Sequence, residues 1–238
     1  MIKLEHVVLA SPDQMEFIIE GMRNPMNSWD KSDSYENYEV SYESGVEVHH
    51  PYYRVGANDL SLMETLAKAG TDHRKFMRMM PVYARITAPL YWWKEFDTYK
   101  VGTVANSCST MHKIQAKEFT LGDFSCERLI NEYDICDIRT DDYDGPENPT
   151  DVLNIVITML NEARCLYLKT KDKKYWWQMI QLLPSSYNQT RNVMMNYEVL
   201  ANIYKARKNH KLDEWCDFCG WIASLPYFRL ITGESEIL

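Results

Sequence analysis

Between Thr150 and Leu168, apolar residues recur at helical spacing, with Leu153, Val156, Ile157, Leu160 and Ala163 on one face and Thr150 placed to cap the run. The first half of the chain keeps the two-residue period of strands as well as helical runs. Ile2, Leu4, His6 and Val8 set against Lys3, Glu5 and Val7 predict a short strand. Tyr38, Val40 and Tyr42 set against Glu39, Ser41 and Glu43 predict a second, and Val82 to Thr87 reads as an extended piece. A chain that mixes these two periods must pack helices against a sheet.

Capping and stop signals place further helices. Ser11-Pro12-Asp13-Gln14 combines a capping Ser, Pro at the first helical position and a Gln that reaches back to the cap, which predicts a helix from about Pro12 to Arg23. Leu60, Met63, Leu66 and Ala67 predict a second that ends at Gly70, and a third follows from Thr71 to Met80. A helix after Pro89 carries Leu90 to Phe96, and another from Tyr175 to Leu183 stops at Pro184. Val193, Asn196, Tyr197, Leu200, Ile203, Tyr204 and Arg207 share a helical stripe. Asp213 is placed to cap a final helix that runs through Trp221 and Ile222 to Pro226. The segment His49-His50-Pro51-Tyr52-Tyr53 reads as a surface turn, with a lid as the alternative. The expected class is α+β, a mixed sheet packed with several helices and a helical C-terminal half. With 238 residues, 45% of them hydrophobic, one domain over 1–238 is expected.

Charge and motif content narrow the chemistry. A formal net charge of -8 argues against general nucleic-acid binding, which rests on many Lys and Arg contacts to phosphate. A local basic set remains, made of Arg74, Lys75, Arg78, Arg85, Lys94 and Lys100, while Thr140 to Pro149 is acidic. No run approaches the roughly 20 apolar residues of a membrane span, and the start lacks a cationic region followed by an apolar stretch, so a cytoplasmic location and no membrane partner are expected. Six cysteines in a chain of this size do not make the dense framework of a secreted mini-domain. Cys216 and Cys219 form the tightest pair, yet a zinc site needs two further ligands at comparable spacing, so no metal is expected. Glycine loops that cradle phosphate, a G-x-S-x-G elbow and a histidine metal motif are all missing. Ser107 and Ser109 have no evident activating base and Cys108 has no neighbouring His, so no catalytic residue is assigned.

Two segments resemble the flavin-dependent thymidylate synthases, the ThyX family. Leu183-Pro184 followed by Asn196, Asn202 and Arg207 is similar to the order and spacing of that family's Leu-Pro, Asn, Asn and Arg positions. Ile86-Thr87-Ala88-Pro89-Leu90-Tyr91 resembles its apolar segment before the signature loop, and Gly70 with His73 resembles its turn with His. The signature R-H-R-x-x-S-x-N-E-x-S-x-R-Y then falls on Thr98 to Met111, where Lys100 is the single cation kept from three arginines. Lysine offers a point charge in place of a bidentate fork. The family's Glu-His pair falls near Arg78 and Met79, and its Arg before Leu-Pro falls near Ile180 or Gln181.

The resemblance implies FAD as cofactor, a pyrimidine nucleotide such as dUMP as substrate, and a homotetramer. On the substrate side it implies Arg207, Asn202, Asn196, Lys100, Thr103, Gln181 and Arg191; towards the flavin it implies His73, Arg78, Tyr99 and Asn106. Two readings stay open. One is an enzyme that methylates dUMP to dTMP; the other is a catalytically inactive scaffold that binds or sequesters a nucleotide or serves assembly. For Arg207 the alternative role is a cation at a helix C-terminus, and for Asn196 and Asn202 ordinary caps or interhelical bonds.

Overall fold

The computed structural model describes residues 2–131, 145–146 and 148–233. Cys136 and most of the acidic segment after Thr140 lie outside them. Strand β1 (Lys3–Leu9) leads into α1 (Pro12–Arg23), where the expected capping box forms: Ser11 Oγ accepts from the Gln14 N–H at 3.3 Å, and Gln14 Oε1 accepts from the Ser11 N–H at 2.9 Å. Strands β2 (Tyr35–Glu43) and β3 (Val46–Arg54) make an antiparallel ribbon that pairs Tyr38 with Pro51 and Val40 with His49. Positive φ at Ser44 and Gly45 supplies the tight turn between them. His49 to Tyr53 is therefore strand, neither lid nor turn.

Helix α2 (Ala57–Lys68) ends near Gly70 as expected, but α3 covers only Lys75–Met79. Residues 71–74 fold instead as a turn in which the His73 and Arg74 N–H groups share the Gly70 carbonyl. Then follow β4 (Pro81–Pro89), α4 (Leu90–Phe96), β5 (Val104–Ser107), α5 (Pro149–Thr170), α6 (Lys173–Leu182), β6 (Asn188–Asn196), α7 (Tyr197–Arg207), α8 (Asp213–Ser224) and α9 (Phe228–Thr232). The larger sheet has the order β1-β4-β6-β5, so the architecture is the expected α+β.

Three boundaries differ from expectation. Asn148, not Thr150, caps α5, because its Oδ1 accepts from the Asp151 N–H at 3.0 Å and Pro149 then takes the first helical position. Leu212, not Asp213, holds the N-cap position of α8; Asp213 lies in the first turn, where a carboxylate favours the positive end of the helix. Val193 to Asn196 is strand. Val193 and Met195 alternate into the core, and Val193 falls on the helical stripe only because it lies four residues before Tyr197.

Contacts gather the chain into two compact units. The first contains Ile86–Thr98 and Asn106–Arg191, and its core joins Ile114, Phe119 and Phe124 to Leu153, Leu160 and Met179. Trp92, Trp93 and Phe96 of α4 are also fully buried there, and the Trp93 indole N–H donates to the Gln189 carbonyl at 2.9 Å. The second contains Leu4–Arg85, Tyr99–Ala105 and Asn192 onward, with α7 packed on α8 and α9. Met63, Leu200, Ile203, Trp215 and Phe218 are buried in it.

Candidate functional site

In the second unit, three of the expected residues meet. Arg207, at the end of α7, donates from Nε to the Tyr99 hydroxyl at 3.0 Å, and Thr103 Oγ1 donates to the Tyr99 carbonyl. The Arg207 guanidinium also lies 4.9 Å from the centroid of the buried Trp215 ring, a cation–π arrangement. Lys100, beside this group in sequence, is exposed. Gly102 turns the loop with φ +82°, and a β-carbon on it would stand 2.8 Å from Asn196 Nδ2 and 2.8 Å from Val199 Cγ2. Asn196 is buried as the N-cap of α7, its Oδ1 accepting from the Val199 N–H at 2.9 Å.

A second cluster of the same unit brings Arg78 and Asn202 together through Arg74 of the local basic set and through Glu198, to which the sequence reading assigns no role. Glu198, in the first turn of α7, accepts from Arg74 Nε and pairs with Arg78 Nε, each at 2.9 Å. Arg74 reaches Asn202 Oδ1 at 3.4 Å, and Arg78 donates to the Thr71 carbonyl at 2.6 Å. The four-residue spacing of Arg74 and Arg78 was the available signal; the carboxylate comes from a position 120 residues downstream of Arg78, which no local pattern reveals.

His73 lines a cavity of about 870 Å³ in this unit. Lys31 and Lys75 stand at it with Asp72, over apolar walls that include Met22, Leu62 and Phe76. Neither lysine has an ion-pair partner among the described residues. Arg23 also borders the cavity, but its charge is matched by Asp59 at 2.6 Å. Free cations over an apolar wall suit a large flat ligand that carries phosphate, and the volume falls in the range of ordinary ligand pockets.

The first unit holds the remaining expected residues, Arg191, Gln181 and Asn106. Arg191 stacks 4.1 Å from the Trp93 ring centroid, pairs with Asp97 at 2.7 Å and donates to Gln189 Oε1 at 2.9 Å. Gln181 on α6 and Asn106 on β5 are exposed. No group of three or more potential metal ligands occurs among the described residues.

Burial is the main influence on two titrating groups of this unit, Cys219 near Arg207 and Tyr197 at the other end of α7. The Cys219 thiol is pushed up to about 11 by burial and by the neighbouring Cys216, against a smaller opposite effect of Arg207. Burial also raises the Tyr197 hydroxyl well above its ordinary value.

No protein-family model matches the chain, and no curated protein does. Solved structures do. Two crystal structures of thymidylate synthase X from Helicobacter pylori, described with FAD and dUMP, are each 15% identical to it with a TM-score of 0.60. The match covers 98% of this chain and 97% or 98% of theirs. The fold is that of ThyX. In this chain Leu183 and Pro184 follow the end of α6, Asn196 caps α7, and Asn202 and Arg207 lie within it. No described helix is long and apolar enough to cross a membrane.

Proposed function

We propose that this protein is a flavin-dependent thymidylate synthase-like protein that binds FAD and a dUMP-like pyrimidine nucleotide and methylates the nucleotide to its thymine form. The observation that carries the reading is the His73 cavity, within a fold whose solved neighbours are described with FAD and dUMP. Bound FAD would supply the hydride chemistry. Lys31 and Lys75 would face its phosphates and the apolar walls its rings, with His73 beside them; the assignment of Arg78 to the flavin rests on the resemblance. Arg207 and Asn202 would hold the nucleotide, with Lys100 and Thr103 towards its phosphate and Tyr99 orienting Arg207. The assignments of Gln181, Arg191 and Asn106 rest on the resemblance alone, as does the homotetramer, whereas a single functional domain over 1–238 rests on length and composition.

The test is the visible absorption spectrum of the purified protein with and without added FAD, followed by titration with dUMP. A flavin spectrum that shifts on adding dUMP supports the proposal. A colourless protein that ignores FAD overturns it.

A second reading, binding without turnover, is favoured by how the arginines are used. Glu198 holds Arg74 and Arg78, Tyr99 and Trp215 hold Arg207, and Asp97 holds Arg191. Binding of FAD and dUMP with no product from reduced flavin and a folate one-carbon donor would select this reading over the enzyme.

A further inference from the structure

We infer that Cys216 and Cys219 form a reversible dithiol–disulfide pair, whose closure tightens one turn of α8 and resets the contact between Trp215 and Arg207. The inference goes beyond the nucleotide reading and stands whether or not Arg207 binds a nucleotide.

The two residues lie three apart within α8, both free thiols, Cys216 exposed and Cys219 buried. Helix geometry sets their α-carbons about 5 Å apart, and disulfides accept roughly 4.4 to 6.8 Å. The β-carbons are less well placed: helical neighbours stand about 5 to 6 Å apart there, whereas a disulfide needs about 3.5 to 4.5 Å. Closing the bond must therefore pull this turn towards the 3-10 form, in which side chains three apart eclipse. Trp215 sits at that turn, against Arg207 on one side and 6.0 Å from Phe218 on the other, measured between ring centroids. A shift of the turn is thus felt at Arg207.

The surroundings divide the work between the two thiols. Cys216 is open to a small disulfide, and its Sγ lies 3.4 Å from the His210 carbonyl oxygen. Its thiolate attacks one sulfur of glutathione disulfide, which breaks that bond and releases one glutathione thiolate. Cys219 then gives up its proton to solvent, and its thiolate attacks Cys216 Sγ, releasing the second glutathione. Two protein thiols are oxidised, one small disulfide is reduced to two thiols, and the protons balance. The geometric strain marks this disulfide as easily reduced, the property of a regulatory bond.

The purified full-length protein is equilibrated over a series of glutathione to glutathione-disulfide ratios, alkylated and analysed by peptide mass spectrometry, with tryptophan fluorescence read in parallel. The expected result is joint loss of alkylation at Cys216 and Cys219, without a glutathione adduct, together with a fluorescence change that dithiothreitol reverses and that Cys216→Ser abolishes. Exposed Cys108 and Cys165 serve as internal controls that take the glutathione adduct instead. Retention of both thiols at the most oxidising ratio overturns the proposal, as does a disulfide formed with no fluorescence change. Cys219→Ser, which leaves Cys216 without its resolving partner, should trap glutathione on Cys216; an unmodified Cys216 in that folded variant also overturns it.

Discussion

Arg23 Nε donates to Asp59 Oδ1 at 2.6 Å, with the Arg23 side chain 5% exposed and the Asp59 side chain fully buried. The same carboxylate accepts from the hydroxyls of Ser32 at 2.7 Å and Ser34 at 2.6 Å, so one anion ties the end of α1 to α2 and to the loop before β2. Asp59→Ala leaves the guanidinium buried without its counter-charge, and removing one partner of such a pair costs about 3–5 kcal/mol. Urea unfolding should show a loss of that size. A loss below about 1 kcal/mol would mean that the loop is held by its other contacts.

Acid should act on the same residue. Burial pushes the Asp59 carboxyl up, but the hydrogen bonds from Ser34, Ser32 and Arg23 together with the Arg23 charge outweigh it, so the folded value lies below the ordinary one. The folded state therefore holds this proton less tightly than the unfolded state. Its contribution is fully present above the unfolded value of about 3.9 and is lost as pH falls through the lower folded value. Unfolding midpoints between neutral pH and about pH 3 should fall less steeply in Asp59→Asn than in the parent. Equal slopes would place the acid sensitivity elsewhere.

Sequence pattern made most of the helices legible because their signals are local. The Ser11 and Gln14 exchange, the stop at Gly70 and the stripe of α5 each depend on residues within one or two turns. Strand β6 escaped because alternation over Val193 and Met195 runs without a break into the spacing of α7. The site was legible in part. Arg207 is named through the ThyX resemblance, and the groups that hold it, Tyr99 and Trp215, come from a loop 108 residues earlier and from the next helix. Glu198 carries no local signal of its role, because the cations that it pairs with, Arg74 and Arg78, reach it only through folding.

Arg207→Ala should weaken dUMP binding by about 1.5–3 kcal/mol, the value of a hydrogen bond to a charged group. The measurement is a dUMP titration of the FAD-loaded protein followed by flavin absorbance. Because Arg207 also bonds Tyr99 and lies over Trp215, the thermal midpoint is recorded alongside, and Tyr99→Phe separates the two effects. That change removes one hydrogen bond to Arg207 and keeps the cation. Unchanged affinity in a folded Arg207→Ala protein would take the residue out of nucleotide binding.

Gly102→Ala tests how closely the loop after α4 meets the start of α7. The backbone at Gly102 has φ +82°, where a side chain is strained by about 1–3 kcal/mol. The added methyl would also stand 2.8 Å from Asn196 Nδ2, in the residue whose Oδ1 caps α7. Relief requires the loop to back away or the Asn196 amide to turn, and turning removes the Val199 N–H from its acceptor at a cost of about 1 kcal/mol. The two terms act on one contact, so the expected loss is about 2–4 kcal/mol in urea unfolding. Because the Tyr99 that holds Arg207 lies three residues before Gly102, tryptophan fluorescence from Trp215 should shift as well. A variant as stable as the parent, with unaltered fluorescence, would show that the loop and the α7 cap are not in contact.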